Sequence, residues 1–316
     1  MRVCIFYDEY YAFDEFLNQY PCEWELQILR RPVRDKIKEL ADTGSYDVFF
    51  NLCDGPLEGL SPGIDVIQTL EELNLAFTGA DSECFDPTRE AMQAVADAHQ
   101  IGFAQGTRVH VGDDVLLKTS GLQFPLMVKH PKSYSSIQMF RESRCDMPEQ
   151  LQIQFERVSK EFGAARVEEF IVGREFNIFI VDNPDDLNTP FVYPPTELIF
   201  PPNEEFWHTG VKWDYSVPFE FREVQDAELV KRLQDIGRKF YLAMGCTGYG
   251  RCDVRMREDG ELVILEINPN GGILYRPEEY GPADFMILYD KDGYYGFFDR
   301  IFKSALVRQK LRLAMK

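Results

Sequence analysis

The period of the apolar positions in this chain switches repeatedly between two and about 3.6, and each switch predicts an element. Residues 2–7, RVCIFY, read as a buried strand, and helical spacing follows over roughly 11–19. Residues 24–29 alternate like a second strand. Residues 32–43 have helical spacing, with Pro32 near the start and Gly44 near the stop. The segment 46–55, YDVFFNLCDG, is a strand that runs into a turn. A further helix is expected over 62–75, with Ile64, Ile67, Leu70 and Leu73 as its apolar stripe, and LAFTG at 75–79 reads as a short strand. Alternating strand and helix predict a parallel α/β layer, with ligand groups on loops past the carboxyl ends of the strands. Asn51, Asp54 and Glu58 lie in one such loop, where ordinary turn chemistry accounts for them equally well.

The pattern changes character around Phe85–Thr88. A helix is expected over 88–100, capped by Asp86 or Thr88, followed by strand segments TRVHV (107–111) and FPLMVKHP (124–131). Residues 147–162 read as a helix, and 165–181 as strand, turn and strand. Residues 182–196, with four prolines, read as a loop, and an aromatic stretch, FWHTGVKWDY, covers 206–215. Residues 226–243 form an amphipathic helix through Leu229, Leu233, Ile236 and Phe240. The tail, 296–316, is a basic amphipathic helix with Ile301, Leu306 and Leu311, suited to dock on the core or on a partner chain.

The densest signal lies at 248–272, GYGRCDVRMREDGELVILEINPNGG. It reads as two strands joined by a turn at 257–260, whose Asp-Gly pair favours a hairpin. The second strand is almost wholly apolar from Leu262 to Ile267, as a strand covered on both faces would be, except for Glu266. Glu266 and Asn268 are two apart and share a face, and this hairpin brings Asp253 alongside them. Two carboxylates and an amide oxygen suit a hard cation such as Mg²⁺, which commonly shares its shell with nucleotide phosphates. A plain hairpin with a polar end fits the same spacing.

Composition narrows the classes. The chain has 316 residues, 45% of them hydrophobic and 28% charged, which fits a globular protein of one large or two to three small domains. A net charge of −19 opposes non-specific binding to nucleic acid or anionic membranes, and leaves room for a local basic cluster that holds ATP. Seven scattered cysteines without a CxxC pair, and only four histidines, argue against zinc and fit a reducing compartment. The start turns acidic by Asp8 without a secretory apolar segment, and no apolar run approaches spanning length, so a cytoplasmic protein is expected.

Candidate chemistry outside the hairpin is phosphate-like. Lys129 sits in an otherwise apolar strand, where an unpartnered ammonium is costly unless the strand is an edge with Lys129 pointing out. KSYSSIQM at 132–139 follows it, and hydroxyls, backbone N–H groups and lysine are what phosphate oxygens need, although this is no Walker A loop. Glu168 and Glu169 end one strand and Glu175 begins the next. Such acids accept from ribose hydroxyls or an amino group, and are equally common as plain strand-edge charges.

In this order, MVKHPKSYSSIQM, VEEFIVGREF and MGCTGYGRCDVRM…GELVILEINPNGG resemble the phosphate lysine and serine loop, the hinge and the metal hairpin of the ATP-grasp superfamily, within it the D-alanine–D-alanine ligases. The similarity runs over most of residues 46–272. It implies an α/β ATP-grasp fold: an N-terminal parallel α/β domain (1–85) and two α+β subdomains (86–171 and 172–316) that sandwich ATP. By the same resemblance, Lys129 contacts ATP phosphates, and Ser135 and Ser136 lie in the loop that closes over them. Glu168 binds at the adenine amino end, with main chain near Glu169 and Ile171 completing the base contacts, and Glu175 accepts from the ribose. Lys212 reaches the γ-phosphate and Arg89 stands in for a family lysine. Asp253, Glu266 and Asn268 hold two Mg²⁺ ions, for which Mn²⁺ can substitute. Arg251 and the N–H of Gly272 stabilise the oxyanion. The family also suggests a homodimer.

The departures fall outside the nucleotide machinery. YDEYYAFDEF (7–16) stands where the family has a Gly-rich substrate loop, and CDGPLEG where it has a second-loop histidine. After Gly272, ILYRPEEYGPADF replaces the residues that hold the second amino acid's carboxylate, and Arg276, Glu278 and Glu279 could read a different acceptor. This argues against a cell-wall D-Ala–D-Ala ligase. The expectation is an ADP-forming ligase that joins a small carboxylate or amino acid to an amine or amino acid through an acylphosphate. The alternatives are a non-catalytic nucleotide-binding regulatory protein, against which the intact Arg251, Asp253, Glu266 and Asn268 count, and phosphoryl transfer that ends at a phosphorylated product.

Overall fold

The computed structural model of the chain describes residues 1–7, 14–55, 60–132, 136, 138–212 and 219–315. Among these, the strands form three sheets. The first is parallel, in the order β2-β1-β3, from β1 (Arg2–Tyr7), β2 (Glu23–Ile28) and β3 (Val48–Asn51). A parallel bridge between Phe49 and Phe77 brings the expected 75–79 segment alongside β3. Helices α1 (Asp14–Leu17), α2 (Arg34–Asp42) and α3 (Ile64–Glu72) connect these strands. The stripes of α2 and α3, including Ile37, Ile67 and Leu70, bury Phe6 and Phe49 on one side of the sheet.

The second sheet is antiparallel, in the order β4-β7-β5-β6. In chain order this region holds α4 (Arg89–Ala98), β4 (Gly106–His110), α5 (Val115–Lys118), β5 (Leu126–Lys129), β6 (Arg144–Cys145), α6 (Pro148–Phe162) and β7 (Ala164–Glu169). Thr88 caps α4, its hydroxyl accepting from the N–H of Ala91 at 3.1 Å. Leu151, Phe155 and Val158 of α6 pack on Val128 and Val167. Gly163, at φ +75°, ends that helix in the left-handed conformation.

The third sheet is antiparallel in the order β11-β10-β8-β12-β13, with β9 also paired to β8. It is built from β8 (Arg174–Val181), β9 (Phe191–Val192), β10 (Thr196–Ile199), α7 (Thr209–Lys212), β11 (Glu220–Glu223), α8 (Ala227–Ala243), β12 (Tyr249–Met256), β13 (Leu262–Pro269), α9 (Pro282–Tyr289) and α10 (Gly293–Ala314). The expected loop at 182–196 therefore contains β9 and runs into β10. These short strands, like β6 and β11, have too few residues for a period and exist through their pairing.

Two packing results were not legible in the pattern. Met92 and Ala96 of α4 pack with Phe240 and Ile264 in the core of the third sheet rather than with the second. Phe297, Phe298, Ile301 and Phe302 of α10 bury Val3, Ile5 and Phe50 of the first sheet, so the tail helix docks on the chain's own core. Leu306 is partly buried there and Leu311 is exposed. Cys84 and Cys246 form a disulfide, whereas the scattered cysteines were expected to fit a reducing compartment. Among the described residues no helix is long and apolar enough to cross a membrane.

Gly248 has φ +71°, and a Cβ there would run into the backbone of Gly79. Its N–H also donates to the buried Asp182 carboxylate at 2.8 Å. Gly248→Ala is expected to destabilise the fold by about 2 kcal/mol or more, through backbone strain and overpacking together. Thermal unfolding would show this as a lowered Tm.

Candidate active site

The third sheet separates its two faces by the strand period of two. Cys252, Val254, Phe176 and Ile178 turn toward α8 and are buried among apolar neighbours. Their alternates carry the chemistry. Asp253 pairs in register with Glu266, and Arg251 with Asn268. On the other side of β12, Asp253 stands opposite Asn177 and Arg255 opposite Glu175. Directly opposed residues share a face, so these side chains converge on one surface. That surface lines a cavity of about 890 Å³, whose opposite lining includes Lys129 and Glu168 of the second sheet.

Lys129 ends β5 opposite Arg166 of β7, and β6 pairs only with Leu126 and Met127, yet the Lys129 side chain is mostly buried and does not point out. Its ammonium is 2.5 Å from Glu168, and Arg166 donates to the same carboxylate at 3.1 Å. Burial pushes Lys129 down, against the pull of Glu168. Burial also opposes ionisation of Glu168, yet Lys129, Arg89 and Arg166 hold it at about 2. Glu168 therefore sits in an ion cluster with Lys129, Arg89 and Arg166. Arg89 is buried, and donates to the Glu266 carboxylate and the Leu265 carbonyl. Glu266 is likewise held at about 2 by Arg89, Lys129 and Arg251 against the cost of burial.

Asp253 is held by three donors. Arg251 donates to it at 2.8 and 3.1 Å, Asn177 at 2.7 Å and Asn268 at 3.3 Å. Lys212, at the end of α7, is pushed down by burial and by Arg251, and lines the same cavity. Glu175 pairs with Arg255, and burial pushes it upward. Glu169 pairs with Arg257 at 3.3 Å, and the Ile171 carbonyl accepts from Arg255 at 2.8 Å. Both residues line the cavity, as do Ser136 and Gly272. The Ser136 carbonyl accepts from the Thr209 hydroxyl at 3.1 Å, and the Tyr275 hydroxyl rests against Gly272. Ser135, Glu58 and residues 8–13 of the first substrate-loop segment lie outside the described residues.

The donor set of Asp253, Glu266 and Asn268 fits a hard cation. The Asn177 carbonyl oxygen, buried beside Asp253 without a hydrogen-bond partner, adds another hard oxygen. Among the described residues no group of three His, Cys, Asp or Glu side chains could hold a metal. Arg166, Asn177 and Arg255 were missed by the sequence reading. For Arg255 a signal existed, because it is two residues beyond Asp253 on the same strand.

The family described as D-Ala D-Ala ligase C-terminus matches residues 97–275, more than half of the chain. The chain belongs to the D-alanine–D-alanine ligase family. It is 24% identical over 251 residues to a D-alanine–D-alanine ligase of Cupriavidus taiwanensis, covering 75% of this chain and 70% of the relative. It superposes on the D-alanine–D-alanine ligase of Bacillus anthracis with a TM-score of 0.72 at 15% identity, covering 100% of both chains. For the ATP complex of that enzyme the TM-score is 0.66 at 17% identity, again covering 100% of both chains. These likenesses show the ATP-grasp fold in the chain.

In this member of the D-alanine–D-alanine ligase family, one buried acid organises the segment just past Gly272. Asp284 accepts from the N–H groups of Leu274 at 2.7 Å and Gly281 at 3.1 Å, and from the Tyr294 hydroxyl at 3.0 Å. Burial outweighs these donors and raises the carboxyl from 3.8 to about 6. The folded state then keeps a proton between pH 4 and 6 that the unfolded chain releases. Stability contributed by this group is present below about pH 4 and is lost as pH rises through about 6, by about 3 kcal/mol. The unfolding free energy of the wild type, measured against Asp284→Asn from pH 4 to 7, is expected to fall by that amount. A flat difference would contradict the assignment.

Proposed function

We propose that this chain activates a small carboxylate, such as that of an amino acid, as an acylphosphate and transfers the acyl group to an amine or amino acid. At the coarser level it is an ATP-dependent ligase that forms an amide bond between a carboxylate and an amine. The observation that carries the finer reading is the single sheet face on which Arg251, Asp253, Glu266 and Asn268 meet, across the cavity from Lys129.

A carboxylate resists attack because its leaving group would be oxide, and phosphorylation by ATP removes that obstacle. Lys129, Lys212 and Arg89 supply positive charge where the phosphates transfer, with Glu175 at the ribose and Glu168, Glu169 and Ile171 toward the base. Asp253, Glu266 and Asn268 would hold Mg²⁺, which would neutralise phosphate charge there. The amine nitrogen then bonds to the acyl carbon while the carbonyl electron pair moves onto oxygen. Arg251 and the Gly272 N–H donate to that oxygen, and collapse of the intermediate expels phosphate. The loop with Ser135 and Ser136 excludes water, which would otherwise hydrolyse the acylphosphate. Asp54, Glu278 and Glu279 line the cavity with Tyr275 and Tyr280, which supports an acceptor that brings an amine rather than a second carboxylate. The parts 1–85, 86–171 and 172–316, a cytoplasmic location, a homodimer and no nucleic-acid or membrane partner complete the proposal, the last supported by the acidic charge.

Incubation with ATP, Mg²⁺ and pools of amino acids and amines tests this. Substrate-dependent ADP release with an amide product is expected. Tight ATP binding without turnover for any pool would favour a regulatory protein instead.

A further inference from the structure

Arg255 has no part in the nucleotide roles above, yet it lines the cavity and is only 2% exposed. Its Nε donates to Oε2 of Glu175 at 2.8 Å, and its Nη2 lies 2.7 Å from the same oxygen. Nη1 donates to the Ile171 carbonyl at 2.8 Å, and Nη2 also donates to the Glu205 carbonyl. The guanidinium lies 4.7 Å from the centre of the Phe170 ring, within cation–π range. One side chain thus ties together the turn after β7, the start of β8 and the loop before α7.

The way its donors are spent decides what it can do. A guanidinium has five N–H groups in a fixed fork, and here most of them are committed to protein acceptors. Little of it remains for a phosphate, so a role as a second phosphate cation is disfavoured. Both contacts with Glu175 fall on Oε2, which leaves Oε1 as the carboxylate oxygen not engaged by Arg255. Glu175 is itself only 6% exposed, and a buried carboxylate without a partner would neutralise or turn away. Asp253 adds repulsion, and Arg255 is the foremost charge that opposes both effects.

We propose that Arg255 is a positioning residue for the nucleotide sugar: by pinning one oxygen of Glu175, it presents the other as an oriented acceptor for a ribose hydroxyl. It also anchors that acceptor to Ile171 and Phe170, so sugar and base are read by one rigid unit. This rests on the reading of the cavity as the ATP site, and adds that discrimination for the intact ribose depends on a residue outside the phosphate and metal set.

Binding of ATP, 2′,3′-dideoxy-ATP and inorganic tripolyphosphate to the full-length protein, measured by calorimetry, tests it. The wild type is expected to prefer ATP over the dideoxy nucleotide by about tenfold or more, the value of hydrogen bonding to a charged acceptor. In Arg255→Met that preference is expected to drop to near one while tripolyphosphate binding stays unchanged, which a general loss of structure would not allow. Arg255→Lys keeps the charge but not the fork, and is expected to show a reduced preference. An undiminished preference in both variants overturns the role of Arg255. Failure of the wild type to bind ATP overturns the nucleotide reading itself, and the proposal falls with it.

Discussion

Glu266→Gln is expected to lower substrate-dependent ADP release by at least about a thousandfold, the largest effect of any single change in the site. Glu266 lies where the cations of the cavity meet. Arg89 pairs with it directly, and Lys129 and Arg251 add to the field that keeps it ionised at about 2 despite its burial. An amide of the same shape removes one of the two carboxylates of the proposed cation site. It also removes the carboxylate that pairs with the buried Arg89, and breaking a buried pair costs about 3–5 kcal/mol. Circular dichroism and thermal unfolding must therefore accompany the kinetics. A folded variant with kcat within tenfold of wild type would remove Glu266 from the catalytic machinery.

Arg251→Ala is expected to reduce kcat by about a hundredfold to a thousandfold with little change in the KM for ATP, as the loss of one oxyanion donor does. The structure adds a complication that the motif did not contain. Arg251 is bound bidentately to Asp253, so in this state its guanidinium is committed to a proposed metal ligand. Removing it leaves Asp253 with only its neutral donors Asn177 and Asn268, and cation affinity measured by Mn²⁺ binding is expected to hold or rise. Loss of kcat with retained Mn²⁺ affinity would separate the acyl role from the metal role. A near-normal kcat would sink the oxyanion assignment.

Much of the candidate site was legible because strand geometry is periodic. Glu266 and Asn268 share a face by spacing alone, but the turn's own register would set Asp253 against Leu265, and a bulge between Asp253 and Val254 brings Glu266 there instead. Arg255 obeyed the same rule and was overlooked because its partners lie outside the hairpin. Glu175 comes from β8, and the carbonyls of Ile171 and Glu205 come from loops on either side. Glu168 shows the same. Its motif position gave no sign of its partners, Lys129 and Arg166, which the pairing of β5 and β7 brings close.

The amino-acid sequence by itself determined the long elements, the parallel character of the first layer and the shared face of Glu266 and Asn268 on the hairpin. Each of these follows from local periodicity and turn chemistry, which act over a few residues. The tertiary structure alone decided which layer each helix covers. The stripe of α4 would suit any apolar surface, and it took the core of the third sheet. The stripe of α10 took the exposed face of the first. Apolar burial is non-directional, so a helix stripe states that it must be covered and not by what. Only the folded chain also reveals which buried charges neutralise one another, because the cost of an unpaired buried charge is settled between residues such as Arg89 and Glu266, or Glu175 and Arg255, that lie far apart along the chain.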